Sequence, residues 1–207
     1  MKNKNLQILI ECAIMVGLAT ALGMFKLFEM PFGGSVTFAS MLPIAVISYR
    51  HGIKIGLLGG FAASLLQLVL GLKNLSYGKT LFAVAAIVLA DYIIAFTVIG
   101  LAGMFRNLNK DNNRSLSILT FGSGIAIVSI LRFICHWVSG AVVWYELTKE
   151  WYAGDNTKIV FQFGPWMYSF VYNIMYMAPE LLITTAVGIL LAYFINLKGN
   201  NLAYIKK

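Results

Sequence analysis

An all-α membrane protein, a compact bundle of six transmembrane helices with both termini cytoplasmic, is the fold class this 207-residue chain predicts. Three observations lead there. Hydrophobic residues make up 59% of the chain and charged residues only 12%, where soluble domains carry roughly 25% charged residues, and the mean hydropathy is +0.79. The apolar residues gather into six windows, and at about 20 residues per crossing the length holds six helices and no sizeable aqueous domain. No window alternates with period two, and strand-like segments are too few for an outer-membrane barrel. The expectation is one integral membrane domain over residues 1–207.

The windows fall at about residues 6–28, 36–49, 53–72, 80–105, 116–145 and 165–196, with Gly, Asn, Lys and Asp in the breaks. Lys2 and Lys4 precede the first, and Ala19-Thr20-Ala21 resembles a signal-peptide cleavage site. Glu11 and the apolar continuation through Phe28 make it instead an uncleaved first helix. Ala13, Gly17 and Ala21 recur on it at four-residue spacing, a small-residue stripe on which another helix packs closely, either within the bundle or from a partner. The second window is short: tilted, extended through its flanks, or not fully spanning. The fourth contains Asp91. On the fifth, Arg132, His136 and Gly140 are spaced by four and Ser139 lies beside them, which makes one polar face. Pro165 suits the first turn of the sixth helix, and Pro179 bends it.

Loop charges set the orientation. With a cytoplasmic N-terminus the inner side holds ten basic residues, Lys2, Lys4, Arg50, Lys54, Arg106, Lys110, Arg114, Lys198, Lys206 and Lys207, and the outer side five, Lys26, Lys73, Lys79, Lys149 and Lys158. The net charge of +8 is therefore a topology signal and not a nucleic-acid footprint. Cys12 and Cys135 both lie in apolar runs and read as small buried hydrophobes. Gly78-Lys79-Thr80 ends like a P-loop, but the glycine required five residues before Gly78 is Lys73, so no ATPase is expected in this chain. One His with one Asp is too small a set for a zinc site, and neither a metal nor a cofactor is expected.

Ionisable groups inside the spans carry the most information, because each costs a few kcal/mol unless it faces protein or water. They are Asp91, Arg132, His136 and Glu180, with Glu11 near an inner end. Arg132 and Glu180 read as a buried ion pair, and Asp91, with no cationic neighbour in sequence, as a ligand for a cation. At 1.5 Å per residue, Asp91, His136 and Asn173 lie roughly 15, 13 and 10 Å from the outer ends of their helices, at one level of the membrane. Tyr92, Trp137, Trp144, Trp166, Tyr168, Tyr172 and Tyr176 add aromatic faces nearby. Such rings either mark the interface or wall a pocket for a small, cationic, heteroaromatic molecule. The aromatic connection over 145–164 lies on the membrane or over that site.

The segments Gly33-Gly34-Ser35-Val36, Met41-Leu42-Pro43-Ile44, Ala90-Asp91-Tyr92, Arg132-Phe133-Ile134-Cys135-His136-Trp137-Val138-Ser139-Gly140 and Trp166-Met167-Tyr168-Ser169-Phe170-Val171-Tyr172-Asn173 resemble the ThiT family over nearly the whole chain. These are the thiamine-specific S components of energy-coupling factor (ECF) transporters. The resemblance implies a six-helix bundle in a bacterial cytoplasmic membrane that binds thiamine beneath its outer loops. It places the pocket acid, Glu in most members, at Asp91, its neighbouring Tyr at Tyr92, the histidine at His136, the small residue at Gly140, the stacking tryptophan at Trp144, and the remaining contacts at Tyr168 and Asn173. A first-loop tryptophan of some members is absent, with Phe28 or Phe32 as replacement. The implied partners are a transmembrane coupling subunit, packed on Ala13, Gly17 and Ala21, and two ATPase subunits. The competing expectation is a stand-alone, proton-coupled secondary transporter. An intramembrane enzyme would need a nucleophile or metal set that the sequence lacks.

Overall fold

The computed structural model describes residues 3–198; Lys2, Lys206 and Lys207 of the topology count lie outside them. Five helices are long and apolar enough to cross a membrane: α1 (Lys4–Met24), α3 (Ile53–Leu70), α4 (Leu81–Leu108), α5 (Arg114–Trp151) and α6 (Pro165–Phe194). Between α1 and α3 lies α2 (Leu42–His51), only ten residues long. At 1.5 Å per residue that is roughly 15 Å, about half the hydrocarbon thickness.

The other half of the expected second window is not helical. The chain leaves α1 at Phe25, four residues before the predicted end, and Lys26–Glu29 (β1) pairs antiparallel with Ser35–Thr37 (β2). A small hairpin therefore interrupts the all-α pattern. Apolar Leu27, Phe28 and Val36 extend the hydropathy windows over it, but Pro31 and Gly33 turn the chain back. Gly33 has φ +102°, and Phe32 sits at φ +67°, a region that costs a non-glycine residue of order 1 kcal/mol or more.

The helices meet through small residues. Gly56, Gly59, Gly60, Ala63 and Ser64 form the buried face of α3, and there α4 approaches at backbone distance: a Cβ built on Gly100 would lie 2.3 Å from the Gly56 carbonyl oxygen. The hydroxyl of Ser48 on α2 donates to the Gly100 carbonyl and accepts from the Gly103 N–H, so three helices cross where no side chain fits. Gly100→Val is expected to destabilise the fold by about 3 kcal/mol, the upper range for an overpacked site. A thermal melt in detergent checks this, and an unchanged midpoint would refute the crossing.

Around α2 the core is apolar: Ile44, Ile47 and Tyr49 pack with Phe121, Ile125 and Val128 of α5. Its C-terminal end is tied by charge. Arg106 donates to the carbonyls of Tyr49 and Arg50, satisfying end groups the helix leaves open. Glu11 of α1 accepts from Arg50 Nε at 2.8 Å and lies 2.7 Å from His51 Nε2. Further along, α1 packs on the bundle by one side only: Val16 and Ala19 are its buried residues, and Cys12 and Met15 lie against the same core.

Two helices change pitch part-way. Over Ile87–Ile94 in α4 and Gly140–Trp144 in α5 the backbone is π-helical. Both short segments lie where the two helices face the same cavity, a placement frequent at functional sites.

Candidate functional site

α3, α4, α5, α6 and the hairpin enclose a cavity of about 380 Å³, within the range of small-molecule sites. Asp91, Tyr92, His136, Gly140, Trp144, Tyr168 and Asn173, singled out from the sequence on three separate helices, all line it. The polar wall is organised by Asp91. Its Oδ1 lies 3.0 Å from His136 Nδ1, and its Oδ2 accepts from Ser139 Oγ and from Trp144 Nε1, each at 2.8 Å. These donors come from one face of α5, and the π-helical stretch brings the Trp144 indole onto the same carboxylate.

With Asp91 as acceptor, His136 Nδ1 carries a hydrogen, and in the neutral imidazole Nε2 presents a lone pair. That atom is buried and has no partner in the protein, so it is open to a donor on a bound molecule. Asn173 is more fully committed. Its Nδ2 donates to the Ser169 carbonyl at 2.8 Å and its Oδ1 accepts from the Tyr176 hydroxyl at 2.7 Å. The Tyr92 hydroxyl donates to the Gly71 carbonyl at 3.1 Å and accepts from Asn74 Nδ2 at 2.9 Å. The Tyr168 hydroxyl donates to Thr148 Oγ1 at 3.3 Å. Gly140 lets α5 and α6 touch: a Cβ there would lie 2.1 Å from Ser169 Oγ.

The expected Arg132–Glu180 pair does not form. Glu180 accepts from the N–H and hydroxyl of Thr37 at the end of β2, which occupy both of its oxygens. Arg132 instead lines the cavity with its guanidinium 4.6 Å from the Phe96 ring centre and its buried Nε unpartnered. The site thus carries a carboxylate and, one helical turn along α5 from His136, a guanidinium. Among the described residues no group of three or more His, Cys, Asp or Glu is placed to hold a metal ion.

Over the mouth lies an aromatic cover. Phe32 lines the cavity, with ring centres 5.8 Å from Tyr77, 6.2 Å from Trp144, 5.8 Å from Trp151 and 6.1 Å from Tyr152. Phe28 is 54% exposed, so of the two phenylalanines Phe32 is the one at the site. The first part of the 145–164 connection, where α5 continues to Trp151, lies over the site through Thr148, Trp151 and Tyr152. Past it, the Asp155 carboxylate accepts from the hydroxyl and N–H of Thr157, and those bonds, with Lys158 nearby, hold it below the ordinary carboxylate range. Sequence reasoning missed Asn74, Gln67 and Thr148 as lining residues, since each lies in a stretch whose polarity is unremarkable for a loop or helix end.

A polar, aromatic-walled cavity held by apolar helices of membrane-crossing length defines a membrane-embedded small-molecule binding protein. The family described as Thiamine transporter protein (Thia_YuaJ) matches residues 9–198. The thiamine transporter ThiT of Bacillus subtilis (strain 168) is 36% identical over 199 residues, 92% of each chain. The thiamine transporter ThiT of Lacticaseibacillus paracasei is 28% identical over 182 residues, 83% of this chain and 80% of the relative. A solved structure of ThiT from Listeria monocytogenes has the same fold, with a TM-score of 0.72 at 24% identity over 92% of this chain and 95% of that one. The chain belongs to this thiamine transporter family.

Proposed function

We propose that the chain is the thiamine-binding subunit of an ECF-type, ATP-driven importer in a bacterial cytoplasmic membrane, with six helical segments and both termini cytoplasmic. The observation that carries the reading is the Asp91 carboxylate, held by His136, Ser139 and Trp144 inside an aromatic-walled cavity in a member of the thiamine transporter family. Thiamine is a permanent cation with an aminopyrimidine. The carboxylate supplies the opposite charge, and the ring of Trp144 a face worth roughly 0.5–2 kcal/mol to a cation. His136 Nε2 accepts from a ligand N–H; Tyr92, Tyr168 and Asn173 shape the walls. In this mechanism binding draws Phe32 and the outer loops over the ligand.

Transport energy comes from two ATPase subunits through a transmembrane coupling subunit, and the whole binding subunit then reorients. The surface of α1 supports such a partner. Ala13, Gly17 and Ala21 are exposed, and a Cβ at Gly17 would meet nothing within 4 Å, so the stripe does not serve packing inside the bundle.

Titrating the purified protein in detergent with thiamine, beside riboflavin and biotin, is expected to give saturable tryptophan quenching with thiamine alone at or below micromolar concentration, since Trp144 and Trp151 flank the cavity mouth. No saturable response to thiamine would reject the assignment. Uptake in cells is expected to vanish when the ECF ATPases are deleted; persistence of uptake would favour proton-coupled secondary transport.

A further inference from the structure

Three residues on one face of α6, four apart, fasten the hairpin. At the tip, the Tyr172 hydroxyl donates to the Pro31 carbonyl. In the middle, the Tyr176 ring packs on Gly34 so closely that an added Cβ would lie 2.8 Å from it, and Val36 joins the same cluster. At the root, Glu180 accepts from the Thr37 N–H at 2.5 Å and the Thr37 hydroxyl at 2.6 Å. That hydroxyl is in turn 2.7 Å from Ser40 Oγ. Spacing by four keeps all three in one row along the helix.

The three fastenings differ in what they face. Tyr172 and Tyr176 line the cavity, within reach of a bound molecule; Glu180 does not line it and is 3% exposed. Among the described residues no Lys, Arg or His pairs with it within salt-bridge distance. A buried carboxylate without a counter-ion costs several kcal/mol unless its oxygens are otherwise satisfied, and here one residue satisfies both. Thr37 is the last residue of β2, where the hairpin joins the chain leading to α2.

We infer that Glu180 is a positioning residue for ligand retention: it pins the root of the β1–β2 hairpin to α6, so that Phe32 at the tip is held over the cavity while the tip contacts respond to ligand. The inference rests on the thiamine reading of the cavity, but the pin itself exists without ligand. Its role is geometric, not electrostatic. Glutamine at 180 keeps an oxygen for the Thr37 N–H and offers an N–H to Thr37 Oγ1, whose hydrogen then turns to Ser40 Oγ. The pin survives and the charge is lost. Alanine removes both.

The test uses the full chain purified in detergent. Glu180→Ala is expected to raise the thiamine dissociation rate at least tenfold, read by stopped-flow tryptophan fluorescence, with association changed less than threefold; Glu180→Gln is expected to stay within threefold of the parent on both rates. A nitroxide at position 28, on a background with Cys12 and Cys135 changed to Ser, is expected to gain mobility in Glu180→Ala and not in Glu180→Gln, with no thiamine present. Thr37→Val, which deletes only the hydroxyl bond, provides a milder variant should Glu180→Ala not fold, with a rise in dissociation of about two- to fivefold. A Glu180→Gln protein as impaired as Glu180→Ala would overturn the inference in favour of a charge role. Unchanged label mobility in Glu180→Ala, or unchanged rates in Thr37→Val, would overturn it outright. Absence of thiamine binding by the parent would sink the thiamine reading alone, because the mobility measurement needs no ligand.

Discussion

Replacing Asp91 by Asn is expected to weaken thiamine binding about a hundredfold while leaving the fold intact. The reason lies in which atoms already point at the carboxylate. Oδ2 receives two hydrogens, from Ser139 and Trp144, so the amide nitrogen of an asparagine cannot sit there and must turn toward His136. Its N–H then meets Nδ1, and the imidazole must move its own hydrogen to Nε2. One substitution removes the negative charge and also converts Nε2 from acceptor to donor. Hydrogen bonds that involve charge contribute roughly 1.5–3 kcal/mol each, and 1.4 kcal/mol is a factor of ten. The dissociation constant from tryptophan quenching measures the loss, with helical content by circular dichroism as the control. Affinity equal to the parent's would remove Asp91 from the binding site.

Gly140→Val is expected to abolish saturable thiamine binding at micromolar concentrations. The first added carbon would fall 2.1 Å from Ser169 Oγ and 3.1 Å from Asn173 Nδ2. Ser169 would have to give up its bond to the Trp137 carbonyl, 2.7 Å in the parent, and Asn173 the position from which it holds the Tyr176 hydroxyl. Overpacking of this kind costs roughly 1–3 kcal/mol, and here the displaced atoms are the cavity wall. Gly140→Ala should show the same effect more weakly. Wild-type titration by the valine protein would show that α5 and α6 are not in contact there.

What the sequence discloses about this molecule follows the energetic expense of each feature. An ionisable side chain in an apolar run is costly enough to need a purpose, so Asp91 and His136 stand out, and helical spacing already puts Ser139 beside them. Destinations are harder. Glu180 is equally conspicuous, yet its partner is a main-chain N–H and a hydroxyl at Thr37, which carry no charge and leave no pattern, and not Arg132, the mate that charge alone suggests. The hairpin hid for a related reason. Leu27, Phe28 and Val36 are as apolar as a membrane helix, and only Pro31 and the two glycines mark the turn. Depth and residue chemistry point to Asp91, His136, Asn173 and the surrounding rings and the family resemblance to their roles, whereas the closeness of α3 to α4 through Gly56 and Gly100 needs three dimensions.

The π-helical stretches in α4 and α5 carry one further implication. Entry of a segment into a bilayer depends on summed hydropathy over some twenty residues and is blind to a residue more or less. The aim of Asp91 and Trp144 depends on the local winding, where one residue of phase rotates everything beyond it by roughly 100° at 3.6 residues per turn. Loss of a single apolar residue within Gly140–Trp144, invisible in any hydropathy profile, would leave a helix that still crosses the membrane but looks the wrong way. Residence in the membrane and recognition of the vitamin are written along the same helices in two notations, one read by average and the other by count.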